Sequence, residues 1–255
     1  MRQSLDFVRS SGAALAARGG GGFDPRLVPE IVAGYFWDPT FATGSGATLR
    51  VPEGNGKSTY DMVTPAANTA PTAGTINGQV VAQYANGSPD QLMRTSTTVQ
   101  RGWTGATYFA AWVQAPAVVG SIMGHWRTAN NLNLQLNTSD CRVQGDFGGG
   151  ATEQRFPVAP FGATPFFIEG IFDPSQAATG RFIFTIDRVA QTPTTANALG
   201  AALTDTAEFI TCGGAFNDSS TFNYTGDFKT GVVYLANGIP SAANRDLLFA
   251  FRALK

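Results

Sequence analysis

The stretch TINGQVVAQYANGSPDQLM, Thr75 to Met93, decides the fold class. Its segment Gln79 to Tyr84 is short, apolar and rich in valine, which is typical of a β-strand. Asn86-Gly87 supplies the left-handed backbone of a turn, and Pro89 lacks the N–H that a continuing ladder would need. Leu92 is then expected to return to the core. The stretch predicts a strand, a turn and a re-entry into a β-structured interior.

Segments of the same kind recur from Phe23 onward at intervals of about ten residues. Each is rich in branched and aromatic residues and closes on Gly, Pro, Asn or Asp; they read IVAGYFW, QVVAQY, TYFAAWV, SIMGHW, NLNLQLN, PFFIEGIF, RFIFTIDRV, EFITCGG and GVVYLA. No long helical periodicity interrupts the series, so the crossover helices that parallel strands require are missing. The sequence therefore predicts an all-β sandwich of two antiparallel sheets.

The period of two assigns faces within these strands. In NLNLQLN, residues 131–137, the leucines share one face and the amides the other, so we expect one side in the core and one side in water. In RFIFTIDRV the same period places Phe182, Phe184 and Ile186 together. The aromatic residues expected in the core are Phe166, Phe167, Phe172, Phe182 and Phe184.

The chain divides into an arm and one domain. With 255 residues and 43% hydrophobic content it can bury a substantial core, and we expect a single sandwich over residues 23–255. Residues 1–22 end in four glycines, which predicts a flexible N-terminal arm. Two interpretations of this arm stay open: an unstructured leader, and a segment that docks on a partner.

The last segment predicts one short helix. Ser241 follows Pro240 and is suited to cap a helix. Leu247, Leu248, Phe251 and Leu254 then fall on one apolar stripe. We expect this C-terminal helix to lie against the sandwich.

Charge and hydropathy exclude two classes of partner. The chain has 17 Lys and Arg residues against 18 Asp and Glu, a net charge of -1, which gives no long-range attraction for nucleic acid or an anionic membrane. No segment approaches the roughly 20 apolar residues of a membrane helix, and residues 1–22 lack the apolar core of a signal peptide. We expect no nucleic-acid partner, no membrane insertion and no export signal.

The two cysteines, Cys141 and Cys212, lie far apart in sequence without a CxxC motif or neighbouring histidines. This excludes a structural zinc site. We expect two reduced, buried thiols, and a single disulfide between them is the alternative. We expect no cofactor.

The order of the segments also resembles a known pattern, in which W-D is followed by P-T, then by N-G-x-x-V, an aromatic residue and G-x-x-D-x-L. The matching positions are Trp37-Asp38, Pro71-Thr72, Asn77 to Val81, Tyr84 and Gly87 to Leu92. YFAAWVQAP, Tyr108 to Pro116, and FKTGVVYLANGIPSAANRDLLFAF, Phe228 to Phe251, continue the match. In this order the chain resembles the concanavalin A-like superfamily, in particular its laminin-G-like modules found in bacterial and phage proteins. The resemblance covers about residues 27 to 254 and implies a jelly-roll sandwich.

Some members of this superfamily hydrolyse glycans with two carboxylates on one strand face, at i and i+2. This chain has no such pair; the nearest couples are Asp205 with Glu208 and Glu169 with Asp173. Asp146 with Glu153, across neighbouring strands, stays open as a pair. The segment GDFGGGATEQRF lacks the context of a phosphate-binding loop and predicts a hairpin. We therefore expect a protein that is not an enzyme, with a polysaccharide hydrolase as the alternative.

The resemblance also raises calcium, which many laminin-G-like domains bind at loop ends. The candidate oxygens are those of Asp38, Asp90, Asp146, Asn217, Asp218 and Asp227, and none of their loops matches an EF-hand. We assign no metal site, and a structural calcium stays open as the alternative.

Aromatic side chains beside amides and charges favour sugar binding, because sugars offer apolar C–H faces and many hydroxyls. HWRTANN and FNDSSTFNY combine both kinds of group. The predicted ligand-binding residues are Trp103, His125, Trp126, Arg127, Asn130, Asn217, Asp218 and Tyr224. His125 is the chain's one histidine, and packing is the alternative for it. No catalytic residue is assigned.

Two functions compete on these grounds, a carbohydrate-recognition module and a subunit of a larger assembly. The arm, the missing export signal and a charged content of only 14% favour the assembly. We expect a structural or decorating protein of a bacteriophage virion, made in the host cytoplasm and present in many copies or as a homo-oligomer. Its arm would contact other virion proteins of capsid or tail, and its lectin-like domain host-surface glycans. The alternative is a secreted or surface carbohydrate-binding module.

Overall fold

A computed structural model gives the structure of the chain. It describes residues 23–66, 68–85, 91–100, 102, 104–115, 120–127, 130–137, 140–147, 151–157, 161–216, 222–223 and 227–255. For residues 120, 125–127, 130–131, 151, 215–216 and 222–223 only the backbone is described. The predicted arm, residues 1–22, and the predicted turn at Asn86-Gly87 lie outside the described residues.

The described part of the chain is built mainly of strands. The strands of its first half are β1 (Tyr35–Trp37), β2 (Arg50–Val51), β3 (Met62–Val63), β4 (Thr72–Ile76), β5 (Gln79–Tyr84), β6 (Met93–Thr95), β7 (Thr107–Gln114), β8 (Gly120–Arg127) and β9 (Asn130–Leu136). Those of its second half are β10 (Cys141–Asp146), β11 (Ala151–Phe156), β12 (Phe166–Phe172), β13 (Phe182–Ile186), β14 (Val189–Ala190), β15 (Thr195–Ala196), β16 (Ile210–Cys212), β17 (Ala215–Phe216), β18 (Phe222–Asn223) and β19 (Phe228–Asn237).

Helices are few and short. The two α-helices are α1 (Pro29–Ala33) and α2 (Ala242–Ala250), and the 3-10 turns are Pro25–Leu27, Pro39–Phe41, Gly46–Thr48, Ser58–Tyr60 and Ala178–Gly180. Neither described α-helix has the length and hydropathy needed to span a bilayer.

The strands form two large antiparallel sheets, as the sequence predicts. The first sheet runs in the order β14-β13-β12-β7-β19-β5-β4, and β1 also pairs with β19. The second runs in the order β15-β11-β10-β9-β8-β16-β6-β3-β2, while β17 and β18 pair with each other. Every described ladder is antiparallel. The predicted all-β sandwich is confirmed.

The main core lies between the two sheets, and a second core lies on the far side of the first sheet. Phe109 and Val113 of β7 enter the core between the sheets, whereas Tyr108 and Trp112 of the same strand enter the second core. The five phenylalanines predicted as core residues are all buried, with Phe167 in the second core and the other four between the sheets. The first sheet is therefore covered on both faces at its centre.

The C-terminal helix covers that second face. The Ser241 side chain caps α2 by accepting a hydrogen bond from the Asn244 N–H, as the sequence predicts. Leu248 is fully buried, but Leu247 is 44% exposed, so the predicted stripe is wrong at that position. The helix ends at Ala250, and the two remaining stripe residues, Phe251 and Leu254, are buried beyond its end.

The prediction of one strand over residues 31–37 was wrong. In IVAGYFW the first residues belong to α1 and only Tyr35–Trp37 is extended, because Pro29 starts a helix that ends before Gly34.

The strand predicted over Gln79–Tyr84 is confirmed, and Leu92 is buried as expected. The chain enters that strand through Asn77 and Gly78, both at positive φ, which is the two-residue hairpin turn.

Both cysteines are buried and neither is in a disulfide, so the predicted reduced thiols are confirmed. Cys212 lies in the core between the sheets, where burial raises its pKa to about 12. A thiolate is the reactive form of cysteine. At neutral pH this thiol therefore packs as an apolar group.

Gly170, at the centre of β12, makes room for an aromatic ring. A Cβ atom at this position would lie 1.9 Å from Cζ of Phe109, the residue paired with it on β7. We predict that Gly170→Ala lowers the free energy of unfolding by about 1–3 kcal/mol, because a packed core accommodates no added methyl group. Urea unfolding of the purified chain measures this change.

Gly180→Ala is the matched control, since a Cβ atom there meets nothing within 4 Å. Its free energy of unfolding is expected to stay close to that of the parent chain. Equal unfolding curves for the Gly170 variant and the parent would contradict the packing described for this site.

Candidate functional site

The outer face of the second sheet, which points away from the core, carries polar side chains in its central strands. Leu132, Leu134 and Leu136 of β9 are buried between the sheets, as predicted. The alternate residues Asn133 and Gln135 point to the outer face. The face therefore begins as a pair of amides on one strand.

The next two strands extend the same pattern. In β10, Cys141 and Val143 enter the core, and the alternate residues Arg142 and Gln144 point to the outer face. The register sets Gln144 opposite Asn133 on one side and opposite Glu153 of β11 on the other. We call this row the polar ladder; its members are Ser121, Asn133, Gln135, Asp140, Arg142, Gln144, Glu153 and Arg155.

Hydrogen bonds run along the polar ladder across three strands. The Gln135 Nε2 group donates to Oε1 of Gln144 at 3.0 Å, and Nε2 of Gln144 donates to Oε2 of Glu153 at 3.1 Å. Each amide is thereby oriented by its neighbour on the next strand. The row therefore holds its donors and acceptors in fixed positions, and Gln144 and Glu153 are its partly exposed members in these bonds.

Arginines surround the carboxylates at one end of the ladder. Arg155 contacts Glu153 at 2.5 Å and Asp140 at 3.3 Å, and Arg142 lies 3.4 Å from Glu153. The hydrogen bond and negative charge of Glu153 hold the pKa of Arg155 above its ordinary value. Arg155 is therefore held as a cation by the carboxylate beside it.

The other end of the ladder is buried. Ser121 and Asn133 are fully buried, and the Ser121 hydroxyl donates to Oδ1 of Asn133 at 2.6 Å. The expectation that this side of β9 lies in water is therefore wrong for Asn133 and Gln135, which is 1% exposed. Strand β17 lies against β8 beside them. Nδ2 of Asn133 has no hydrogen-bond partner among the described side chains.

Four of the eight predicted ligand-binding residues lie in the described part of the chain. Trp103, Asn217, Asp218 and Tyr224 lie outside the described residues. The other four lie in the β8–β9 hairpin, where Arg127 pairs with Asn130 and Trp126 with Asn131. Their backbones are described and their side chains are not.

The register separates two of these hairpin residues onto opposite faces. His125 pairs with Leu132 on one side and with Ile210 on the other, both of which are buried between the sheets. Trp126 is on the opposite face, the one that carries the polar ladder. By register, Trp126 is therefore a residue of the outer face and His125 a residue of the core-side face.

The carboxylate pair left open by the sequence does not face across the strands. Asp146 pairs with Ala151, and Glu153 pairs with Gln144. Since both oxygens of Glu153 contact arginine or glutamine groups, this carboxylate is a positioned acceptor.

Other carboxylates of the sequence serve the fold. Asp38, a calcium candidate, is 1% exposed and pairs with Arg252 at 2.5 Å; burial raises its pKa and the arginine charge opposes that change. Among the described side chains no cluster of three or more His, Cys, Asp or Glu residues is placed to hold a metal ion. Asp90, Asn217 and Asp218 lie outside the described residues.

The residues of the polar ladder were missed as a site, although part of their signal is in the sequence. In CRVQGD, Cys141 and Val143 alternate with Arg142 and Gln144, as leucines and amides do in NLNLQLN, whereas ATEQRF has the polar residues Thr152 and Gln154 on its core side. Alternation therefore indicates an outward face for Gln144 but not for Glu153. It does not show that the two side chains meet, because that depends on the strand register.

Solved structures share this architecture at low sequence identity. Trypanosoma rangeli sialidase in complex with 2,3-difluorosialic acid matches with a TM-score of 0.58 and 13% identity, over 98% of this chain and 38% of that chain. A botulinum neurotoxin type C structure, described with cell entry that depends on two ganglioside molecules, matches with a TM-score of 0.54 and 9% identity, over 86% of this chain and 51% of that chain. The binding domain of botulinum neurotoxin DC in complex with rat synaptotagmin II matches with a TM-score of 0.52 and 10% identity, over 79% of this chain and 48% of that chain.

These likenesses show the β-sandwich fold alone. The chain spans about half or less of the length of each of the three structures. No family model and no curated protein matches the sequence. The narrower resemblance to laminin-G-like modules stays a prediction.

The contact between Gln144 and Glu153 is testable by a double-mutant cycle. We predict that Gln144→Ala and Glu153→Ala are coupled by about 0.5–1.5 kcal/mol in the free energy of unfolding, because each truncation removes the same hydrogen bond. Urea unfolding of the parent, both single variants and the double variant measures the coupling.

A second cycle, Gln144→Ala with Asp246→Ala, provides the control, since Asp246 lies on α2 on the other side of the first sheet. These two changes are expected to be additive. Additivity in the first cycle as well would show that the ladder is not formed as described.

Proposed function

We propose that this chain is a non-enzymatic glycan-binding protein whose binding surface is the outer face of the second sheet. The observation that carries the proposal is the continuous polar ladder from Gln135 through Gln144 to Glu153 and Arg155. Sugar hydroxyls both donate and accept hydrogen bonds, and this row offers both kinds of partner in fixed positions.

The structural neighbours support the same class of ligand. One is a sialidase in complex with a sialic acid derivative, and another is a neurotoxin whose cell entry depends on gangliosides. A third is a toxin binding domain in complex with a receptor protein. Glycan recognition is therefore the function that this fold and this polar face jointly favour.

A glycan array with the full chain tests the proposal, followed by calorimetry with the best-bound glycan. We predict that Glu153→Gln weakens binding about tenfold, because the neutral amide no longer holds Arg142 and Arg155 by charge. Affinity at low ionic strength is the measured quantity.

Asp246→Asn is the matched control, since it removes the same charge from an exposed position on α2. It is expected to bind glycan as the parent does. An array without signal at millimolar sugar, or equal weakening by both variants, would overturn the assignment of binding to the ladder.

Hydrolysis is the second candidate, because a sialidase is among the neighbours. The ladder argues for binding alone, since Glu153 and Asp140 are both held by Arg155. A general acid needs a carboxyl group that holds its proton near the working pH. Release of free sugar from the array-identified glycan would assign the chain to the hydrolases.

We also propose the location that the sequence favours, a bacteriophage virion to which residues 1–22 attach the domain. In this proposal many copies of a weak lectin-like face raise the total avidity for the host surface. The support comes from the sequence: the glycine-rich joint at residues 19–22 and the weakly charged composition. The neighbours named above are a sialidase and toxins, so they add no support for a virion.

Deletion of residues 1–22 tests this location. We predict that the truncated chain unfolds at the temperature of the parent, because the described sandwich begins at residue 23. Glycan binding should also persist, whereas incorporation into phage particles should be lost. Unchanged incorporation in a particle assay would contradict anchoring by the arm.

A further inference from the structure

A cleft of about 340 Å³ opens at one end of the first sheet, away from the polar ladder. Its described lining comes from three neighbouring strands and one loop: Gln83, Tyr84, Gln114, Gly162, Ala163, Phe228 and Lys229. The end of β5, the start of β19 and the end of β7 meet there. Neither the glycan proposal nor the fold assigns a role to this cleft.

Three polar side chains stand side by side at the cleft. Lys229 is the paired residue of Gln83 on β5 and of Gln114 on β7. Directly paired residues of antiparallel strands have Cα atoms about 4.5–5.5 Å apart and point to the same face. Lys229 therefore leaves the sheet between Gln83 and Gln114 and on the same face as both.

Among the described residues, Lys229 has no partner for its charge. Its ammonium makes no hydrogen bond, salt bridge or ring contact with any of them, whereas Lys57 and Lys255, the other described lysines, both have partners. The side chain is half-buried. An ammonium that is partly removed from water and unpaired attracts an anion more strongly than a freely solvated one.

The side-chain amides of Gln114 and Gln83, on either side of Lys229, differ in their hydrogen bonds. Nε2 of Gln114 donates to the carbonyl oxygen of Ala163, which ties the β7 end to the loop that walls the cleft. The Gln83 amide has no such bond and is exposed. Gln83 is therefore free to donate to a ligand that Lys229 holds.

The remaining lining is apolar. Tyr84 and Phe228 also line the cleft; their rings stack with centroids 4.7 Å apart in the core between the sheets, on the opposite face of the strands from Gln83 and Lys229. Gly162 and Ala163 offer no side chain beyond a methyl group. A ligand for this cleft combines an anionic head for the ammonium with a compact body for the apolar wall.

We infer that this cleft is a second binding site, for a small carboxylate such as an acidic sugar, with Lys229 as its charge partner and Gln83 as a hydrogen-bond donor. It lies on a different sheet from the polar ladder, so it adds a separate specificity for acidic ligands. Neutral sugars lack the group that Lys229 recognises.

Titration of the ¹⁵N-labelled full chain with D-glucuronate and D-glucose tests this inference, because the two sugars differ at one carboxylate. We predict shifts of the Gln83 and Gln114 side-chain amide signals with glucuronate at millimolar concentration, and binding of glucose at least fivefold weaker. Raising the salt from about 10 mM to 150 mM should weaken glucuronate binding as the charge is screened.

Variants identify the group responsible. Lys229→Gln is expected to weaken glucuronate binding at least fivefold and to remove the preference over glucose. Lys255→Gln removes the same charge from a lysine paired with Asp187 and should change neither. Equal affinity for both sugars, or glucuronate binding that is unaffected by Lys229→Gln, would overturn the inference.

The outcome is independent of the ladder. Glu153→Gln should leave the glucuronate shifts at Gln83 and Gln114 unchanged, and Lys229→Gln should leave binding of a neutral glycan at the ladder unchanged. Glucuronate shifts confined to β10 and β11 would place the acidic ligand on the ladder instead and refute a second site.

Discussion

The burial of the first sheet on both of its faces is the constraint on which the rest of the structure depends. Strand β7 sends Phe109 and Val113 into the core between the sheets and Tyr108 and Trp112 into the core under α2. Burial of large apolar side chains is the main favourable term in folding. A sheet enclosed in this way presents no polar surface at its centre. The two polar surfaces described above therefore lie elsewhere: the polar ladder is on the second sheet, and the cleft beside Lys229 is at the end of the first.

Double burial also explains the charged groups inside the second core. Glu169, fully buried in β12, accepts hydrogen bonds from Tyr108, Thr185 and Arg188, the last at 2.7 Å. Arg188 also contacts Asp246 of α2 at 2.8 Å. A buried carboxylate is destabilising unless it is fully paired. The network therefore fixes where the C-terminal helix sits, and burial together with Glu169 raises the pKa of Tyr108.

The two polar surfaces differ in how their charged side chains are paired. In the polar ladder each charge is balanced, since Glu153 and Asp140 contact Arg142 and Arg155. Balanced charge with many donors and acceptors suits neutral hydroxyl groups. At the cleft, the positive charge of Lys229 has no partner among the described residues, which suits an acid. The two proposed sites would give one sandwich two kinds of recognition on separate sheets.

Much of the fold is encoded locally. Alternation in NLNLQLN places three leucines in the core, the segment Gln79–Tyr84 forms the strand that it predicts, and Ser241 caps the last helix. These features depend on a period of two or on a cap, and both are set by residues close in sequence. The same rule misled for residues 31–37, where Pro29 and the packing of Ile31 favour a short helix.

The candidate sites were decided by tertiary structure. The sequence by itself determined that Leu132, Leu134 and Leu136 enter the core, because side chains alternate along a strand. It did not determine that Gln144 meets Glu153, or that Lys229 stands between Gln83 and Gln114. It likewise did not foretell that Asn133 would be buried. Strand register and coverage are set by the packing of residues far apart in the chain, and a local period carries no record of them.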